Sequence, residues 1–393
     1  VEVNALGRTI RVLEKQQPKT GANLMLHLDT RLQKIAMQAF GEEKGSAVAI
    51  DPKTGGLLAM VSKPGFDPNL FVSGISTEDY QALQASEHKP LFNRSLRGQY
   101  PPGSTLKPFI ALAGLETGSI GFTEKKFCPG FYQLPNHSHK YRDWKKWGHG
   151  QVDMDIAITQ SCDVYFYELA HDMGVDKLQA YLSLFGFGEK SGVDLGGELP
   201  GLLPSREWKR RRHNKSWYPG ETLIMGIGQG YFLATPLQLA AATATFANGG
   251  IYRSPRIVDR IVGSNTNQQL EKIGTIERGI PVASQQNWDD IALGMINVVE
   301  NIRGTAKRIQ NPDYRIAGKT GTAQVFTVKQ DEEYDEEKIS KKNRDHALFV
   351  AYAPIENPQI AVAVVVENGG HGGSTAAPIA KKIMDAYLLE DES

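Results

Sequence analysis

The sequence predicts an α/β (α+β) fold: an antiparallel sheet flanked by helices, interrupted by an inserted all-helical subdomain. Three observations predict it. Strand-like apolar runs lie near both ends of the chain, at Ser46 to Ile50, Leu57 to Val61, Tyr314 to Val325, Ala347 to Ala353 and Ile360 to Val366. The stretch between them, about 66–301, reads as mostly helical. A length of 393 residues, 40% of them hydrophobic, is ample for a buried core.

Residues 1–20 alternate charged and apolar side chains and run into Gln16-Gln17-Pro18-Lys19-Thr20-Gly21, which reads as a short strand pair and linker belonging to a preceding domain. The main domain is expected over 21–393, with its sheet part at about 21–65 and 302–393 and its helical part at about 66–301. Asp29 can cap a helix carrying Leu32, Ile35 and Ala39-Phe40 on one side. Asp51-Pro52-Lys53-Thr54-Gly55-Gly56 is a turn-rich connection between the first two strands. A closing amphipathic helix runs from Ser374 through Leu389. The acidic run Asp331 to Glu337, followed by Lys338, Lys341, Lys342 and Arg344, is too charged to bury. It reads as a solvated loop, with a gate beside Lys319 as the functional alternative.

Composition excludes some functions. The 44 basic and 44 acidic residues leave a formal net charge of +0, which argues against a nucleic-acid binder relying on a basic face. The run Ile360 to Val366 is far short of the roughly 20 residues needed to span a bilayer. The start at Val1 rather than Met reads as a chain cut from a longer protein, with any membrane anchor upstream. The most basic run, Trp208 to Lys215, reads as a solvated face.

Three distant fragments carry chemistry. Ser104-Thr105-Leu106-Lys107, just after Pro101-Pro102-Gly103, sets a hydroxyl at a helix start and an amine three residues on, on the same face. An adjacent base is what makes a serine nucleophilic, and lysine serves if it is desolvated and flanked by another cation. Ser161-Cys162-Asp163 offers a second hydroxyl and a carboxylate. Lys319-Thr320-Gly321-Thr322 offers a second cation and two hydroxyls on a strand. Alone, Ser104 reads as a helix N-cap. Asp163 likewise has an N-cap reading, for Val164 to Met173.

Together the fragments resemble the signatures S-x-x-K, S-x-N/D and K-T/S-G of the penicillin-recognising serine transferases. Asp51 to Gly55, Phe66 to Asn69, Gly226 to Gly230, Ala234 to Gln238 and Arg303 to Ala306 resemble the class B penicillin-binding proteins, and Tyr141 to Gly150 their Gram-negative, elongation-specific branch. The resemblance implies D,D-transpeptidation of peptidoglycan stem peptides through acyl-Ser104, with β-lactams as covalent mimics. It implies Lys107 as base, Ser161 as proton relay and Asp163 as an acceptor for Lys107 or the substrate amide. Lys319, Thr320 and Thr322 would hold the substrate carboxylate, on a strand where Gly321 completes the motif. The backbone N–H groups of Ser104 and Thr322 would form the oxyanion hole. Asp in place of the commoner Asn puts a charge beside Lys107.

The resemblance also implies a periplasmic domain of an inner-membrane protein, working with a membrane glycan polymerase and elongation-complex proteins, and no cofactor for catalysis. Rivals that share the acylation step are a D,D-carboxypeptidase or serine β-lactamase, which passes the acyl group to water, and a sensor domain without turnover. A scaffolding role could coexist with catalysis.

Cys128, Asp143, His149 and Cys162 form a mixed S, N and O set suited to tetrahedral zinc, with His137 and His139 nearby in sequence. Residue types alone leave a disulfide, zinc and free thiols open. The resemblance favours a structural zinc pinning the loop that bears Ser161 and Asp163.

Overall fold

In the computed structural model, residues 1–15, 17–18, 20–264, 269–325 and 339–389 are described. The acidic run 331–337, and with it the solvated loop expected there and its alternative as a gate beside Lys319, lies outside the described residues. The chain divides into two units, one of residues 1–26 with 258–274 and one of 27–257 with 275–393.

The larger unit is organised by a five-stranded antiparallel sheet in the order Ala317–Ala323, His346–Ala353, Ile360–Val366, Gly45–Ile50, Leu57–Lys63. Both ends of the chain contribute to it, as the apolar runs predict. Ile360–Val366 is buried at every position, so both faces of the sheet are covered, which explains an unbroken β-branched run where a half-exposed strand would alternate. The terminal helices Thr30–Ala39 and Ala376–Leu388 pack on each other and on the sheet, and Pro236–Ala247 and Gln285–Glu300 pack on it as well. Asp29 caps the first of these helices by accepting from the Leu32 N–H at 2.9 Å.

The strand expected over 314–325 is shorter. It ends where its partner ends, with Ala317 opposite Tyr352 and Ala323 opposite His346. The region 66–301 is not wholly helical either. It contains the pairs Lys126–Cys128 with Gly150–Val152, Phe131–Gln133 with Lys140–Arg142, and Ile251–Arg253 with Glu277–Gly279. Three-residue strands are too short to show a period in sequence.

In the smaller unit, Glu2–Val3 pairs with Thr9–Arg11, the strand pair expected in 1–20. The unit extends beyond residue 20, because Asn23–Leu26 joins Val258–Val262 and Gln269–Lys272 in a three-stranded sheet. That pairing spans more than two hundred residues of chain, and no local pattern announces it.

Candidate active site

Gly103–Leu106 forms one 3₁₀ turn, and the α-helix Lys107–Glu116 follows directly. The Lys107 N–H donates to the Ser104 carbonyl, so the Ser-to-Lys spacing is realised in a 3₁₀ turn, where i and i+3 eclipse. Pro108 sits at the helix start, where its missing N–H costs nothing. Gly103 has φ +55°, and a Cβ there would lie 2.5 Å from the Thr322 carbonyl oxygen. Only glycine lets the turn approach the strand this closely. Gly228, at φ +71°, meets the turn from the other side, and its carbonyl accepts from the Gly103 N–H at 2.8 Å. The turn, the strand Ala317–Ala323 and the Gly226–Gly230 segment are thus locked together. Ser104 remains half-buried, while Lys107 and Lys319 are fully buried.

The two lysines meet on one hydroxyl. Lys107 Nζ lies 3.2 Å from Ser161 Oγ, and Lys319 Nζ lies 2.9 Å from the same atom. Lys107 also donates to the Ser161 carbonyl at 2.9 Å and to Asp163 Oδ1 at 2.6 Å, and Lys319 to the Thr320 carbonyl at 3.1 Å. The hydrogen-bond partners of the Lys107 amine are therefore in the 161–163 segment, with Ser104 one 3₁₀ turn away in the chain. Burial holds the Lys319 amine well below the ordinary lysine range, and the Lys107 charge adds to this against the opposing pull of Asp163. Burial also raises the Asp163 carboxyl, reinforced by Asp143 and opposed by Lys107.

The helix N-cap residue is Cys162, not Asp163, for Asp163 begins the helix Asp163–Met173 and turns its carboxylate to Lys107. The orphan N–H groups at that end go instead to Asp143, whose Oδ2 accepts from Asp163 N at 2.8 Å and Val164 N at 3.1 Å. Sequence reading named Asp143 only as a metal ligand and missed this second duty.

On the strand, the Thr320 and Thr305 hydroxyls pair at 2.8 Å. Gly321 packs under the turn, where a Cβ would sit 2.8 Å from Thr105 Cγ2, and Thr322 remains half-buried beside Gly103. Thr305 was quoted in sequence only as part of a family-like stretch. Its contact with Thr320 could not be seen there.

Residues 45–385 match the penicillin binding protein transpeptidase domain. The chain belongs to that family. It is 46% identical over 390 residues to the peptidoglycan D,D-transpeptidase MrdA of Acinetobacter baumannii, a match covering 99% of this chain and 57% of that protein. Among solved structures, it resembles Pseudomonas aeruginosa PBP2 in complex with WCK 5153 with a TM-score of 0.86 and 49% identity, covering 96% of this chain and 78% of that one. The complex between PBP2 and MreC from Helicobacter pylori gives 0.83 and 37%, covering 99% and 68%. The chain spans 57% to 62% of the length of the first curated relatives it matches.

Next to this transpeptidase-family centre lies the sulfur-containing set. Ligand atoms of Cys128, Asp143, His149 and Cys162 all fall within 4.8 Å of one another. Cys128 Sγ is 3.6 Å from both Asp143 Oδ2 and His149 Nδ1, Cys162 Sγ is 3.4 Å from Asp143 Oδ2, and His149 Nδ1 is 3.5 Å from Asp143 Oδ1. Both thiols are free and buried, so of the alternatives open in sequence the disulfide is not formed. A hydrogen bond from Cys162 draws the Cys128 thiol down to about 5, while that shared bond and burial push Cys162 up. His137 and His139 are not in the set.

Proposed function

We propose that this chain is the D,D-transpeptidase part of a class B, elongation-type penicillin-binding protein that cross-links peptidoglycan stem peptides through acyl-Ser104. One observation carries the reading: the three signature fragments, far apart in sequence, converge where Lys107 and Lys319 both reach Ser161 Oγ. The relatives named as peptidoglycan D,D-transpeptidases support it.

In this reading Ser104 Oγ attacks the carbonyl of the penultimate D-alanine, and its proton passes to Lys107 as the Oγ–C bond forms. The N–H groups of Ser104 and Thr322, brought together by the Gly103 contact, receive the oxyanion. Ser161, touching both lysines, relays a proton to the leaving amine, and D-alanine departs. An acceptor amine then attacks the acyl-serine, and Oγ regains a proton. Lys319, Thr320 and Thr322 hold the terminal carboxylate, with Thr305 fixing the Thr320 hydroxyl. Asp163 orients the Lys107 amine by accepting its hydrogen bond. β-Lactams acylate Ser104 by the same route.

The sulfur-containing set fits a structural zinc. A tetrahedral ion with ordinary Zn–S, Zn–N and Zn–O bonds puts its ligand atoms about 3.5 Å apart. The Cys162 and Cys128 thiols lie 3.4 and 3.6 Å from Asp143 Oδ2 and Cys128 lies 3.6 Å from His149 Nδ1, within a set whose ligand atoms all fall within 4.8 Å of one another. Bound there, zinc would supply charge neutralisation and a cross-link, with no open position for chemistry. The proposed setting is the periplasmic face of the inner membrane, beside a glycan polymerase and elongation-complex proteins. The MreC complex of the Helicobacter pylori relative supports such partners. Among the described residues no helix is long and apolar enough to cross a membrane.

Mass spectrometry after incubation with a penicillin tests the reading: a long-lived adduct on Ser104 is expected. Repeated turnover, with D-alanine released well beyond one equivalent once an acceptor amine is supplied, separates a transpeptidase from a sensor, which stops at the acyl-enzyme. Rapid hydrolysis of the adduct would point to a β-lactamase.

A further inference from the structure

Trp144 is unusual among the large aromatics, because its indole is 62% exposed yet its polar edge is fully used. The Nε1–H lies 3.1 Å from both the Gln160 and the Ser161 carbonyl oxygens, and the Trp144 backbone N–H lies 3.2 Å from Asp163 Oδ2. Two of these acceptor groups also serve Lys107, namely the Ser161 carbonyl and the Asp163 carboxylate. Trp144 and Lys107 therefore hold the 161–163 segment between them, one from the solvent side and one from the interior.

That segment needs holding. Ser161 has φ +58°, a left-handed conformation that is strained for a non-glycine residue. The conformation fixes where its hydroxyl meets the two lysines. The Trp144 side chain is itself steadied by an edge-on contact with His149 at 5.5 Å between ring centroids.

We propose that Trp144 is a positioning residue for acylation, its indole N–H fixing the Ser161 turn so that the Ser161 hydroxyl and Lys107 keep their reactive placement. This rests on the acyl-serine reading above. When the N–H is lost, the Ser161 carbonyl keeps Lys107 as its remaining side-chain donor, and the strained turn is free to relax. The ring face, which is exposed, plays no part in this role.

The test is stopped-flow acylation by a fluorescent penicillin, separating the non-covalent binding constant from the acylation rate constant. Trp144→Phe keeps a ring and deletes the N–H. It is expected to slow acylation about five- to tenfold, the worth of one hydrogen bond to the turn, with binding unchanged. Trp147→Phe, at a residue 85% exposed in the same loop, should match the wild type in both constants. If Trp144→Phe fails to fold, replacing Trp144 by benzothienylalanine removes the N–H at nearly constant shape and should reproduce the slowing. A wild-type acylation rate in either Trp144 variant overturns the proposal. So does a loss confined to binding, which would make the ring a substrate contact. Absence of any adduct in the wild type would instead overturn the acyl-serine reading, so the two failures are distinguishable.

Discussion

Two buried polar clusters flank the Ser161-Cys162-Asp163 segment, and they are built in opposite ways. On one side, two fully buried lysines share a serine hydroxyl, and the carboxylate in hydrogen-bond contact with them is Asp163 on Lys107. On the other side, two thiols, an imidazole and a carboxylate place ligand atoms within 4.8 Å of one another. The first cluster concentrates positive charge in a low-dielectric site, so at least one amine, Lys319, is held far below its ordinary range. The second has excess electron pairs and few protons to share among them. Cys162 belongs to the second cluster and its neighbours Ser161 and Asp163 to the first, so the segment is shared by both.

The comparison breaks most severely at the nucleophile. Ser104→Ala should abolish the penicillin adduct, a fall of at least about a thousandfold in acylation, with thermal stability close to wild type because the side chain is half-buried and small. Intact-mass measurement checks this, and an undiminished adduct would remove Ser104 from the reaction.

Next comes Lys107→Met. It should also stop acylation, and it strands the Asp163 carboxylate in a buried site, which costs about 3–5 kcal/mol for a broken buried pair. The raised Asp163 carboxyl can take up a proton, so the lower end is expected. Asp163→Asn in the same background should recover much of the stability and none of the activity, as read by denaturant unfolding.

The second cluster should respond in the reverse sense. Stripping zinc with a chelator, or Cys162→Ser, should lower Tm by roughly 5 °C or more while slowing acylation less than about tenfold. One zinc per chain by elemental analysis is the accompanying expectation. No bound metal and no change in Tm would make the set an ordinary buried hydrogen-bond cluster.

A subtler contrast is in pH. Lys319 binds its proton less tightly folded than unfolded, so the unfolded chain holds more protons between its depressed folded value and the usual 10.5. Stability of the wild type relative to Lys319→Met should therefore rise as pH increases through that window. The penalty is greatest below the folded value and gone above 10.5. Paired unfolding curves from neutral to alkaline pH check the sign, and a flat difference would mean the amine is not desolvated.

The smallest effect expected is for Thr305→Val. Losing the partner of the Thr320 hydroxyl should weaken substrate binding only a few-fold and leave the acylation rate constant nearly unchanged.

Much of this was legible in the chain. The apolar run Ile360 to Val366 became a strand with the same bounds, because burial on both faces leaves a continuous signal. Asp29 became the helix cap, because capping is local. The three-residue strands around Cys128 and His149 were not legible, being too short to show a period. Trp144 and Thr305 were not singled out for the site, because what matters in each is a contact with a residue distant in the chain or reached around a turn.

The sequence by itself determined which chemical groups are present and their local spacing: the Ser104–Lys107 turn, the Lys319 strand, and the Ser161-Cys162-Asp163 fragment. Those follow from nearest-neighbour stereochemistry and side-chain type, which act over a few residues. Tertiary structure alone decided that Lys107 and Lys319 share Ser161, that Asp143 caps the helix at Asp163, and that Trp144 reaches the Ser161 carbonyl. The first depends on a glycine turn pressed against a strand more than two hundred residues away. The other two depend on a loop folding back onto a helix start about twenty residues on. These contacts are set by packing and burial rather than by local preference.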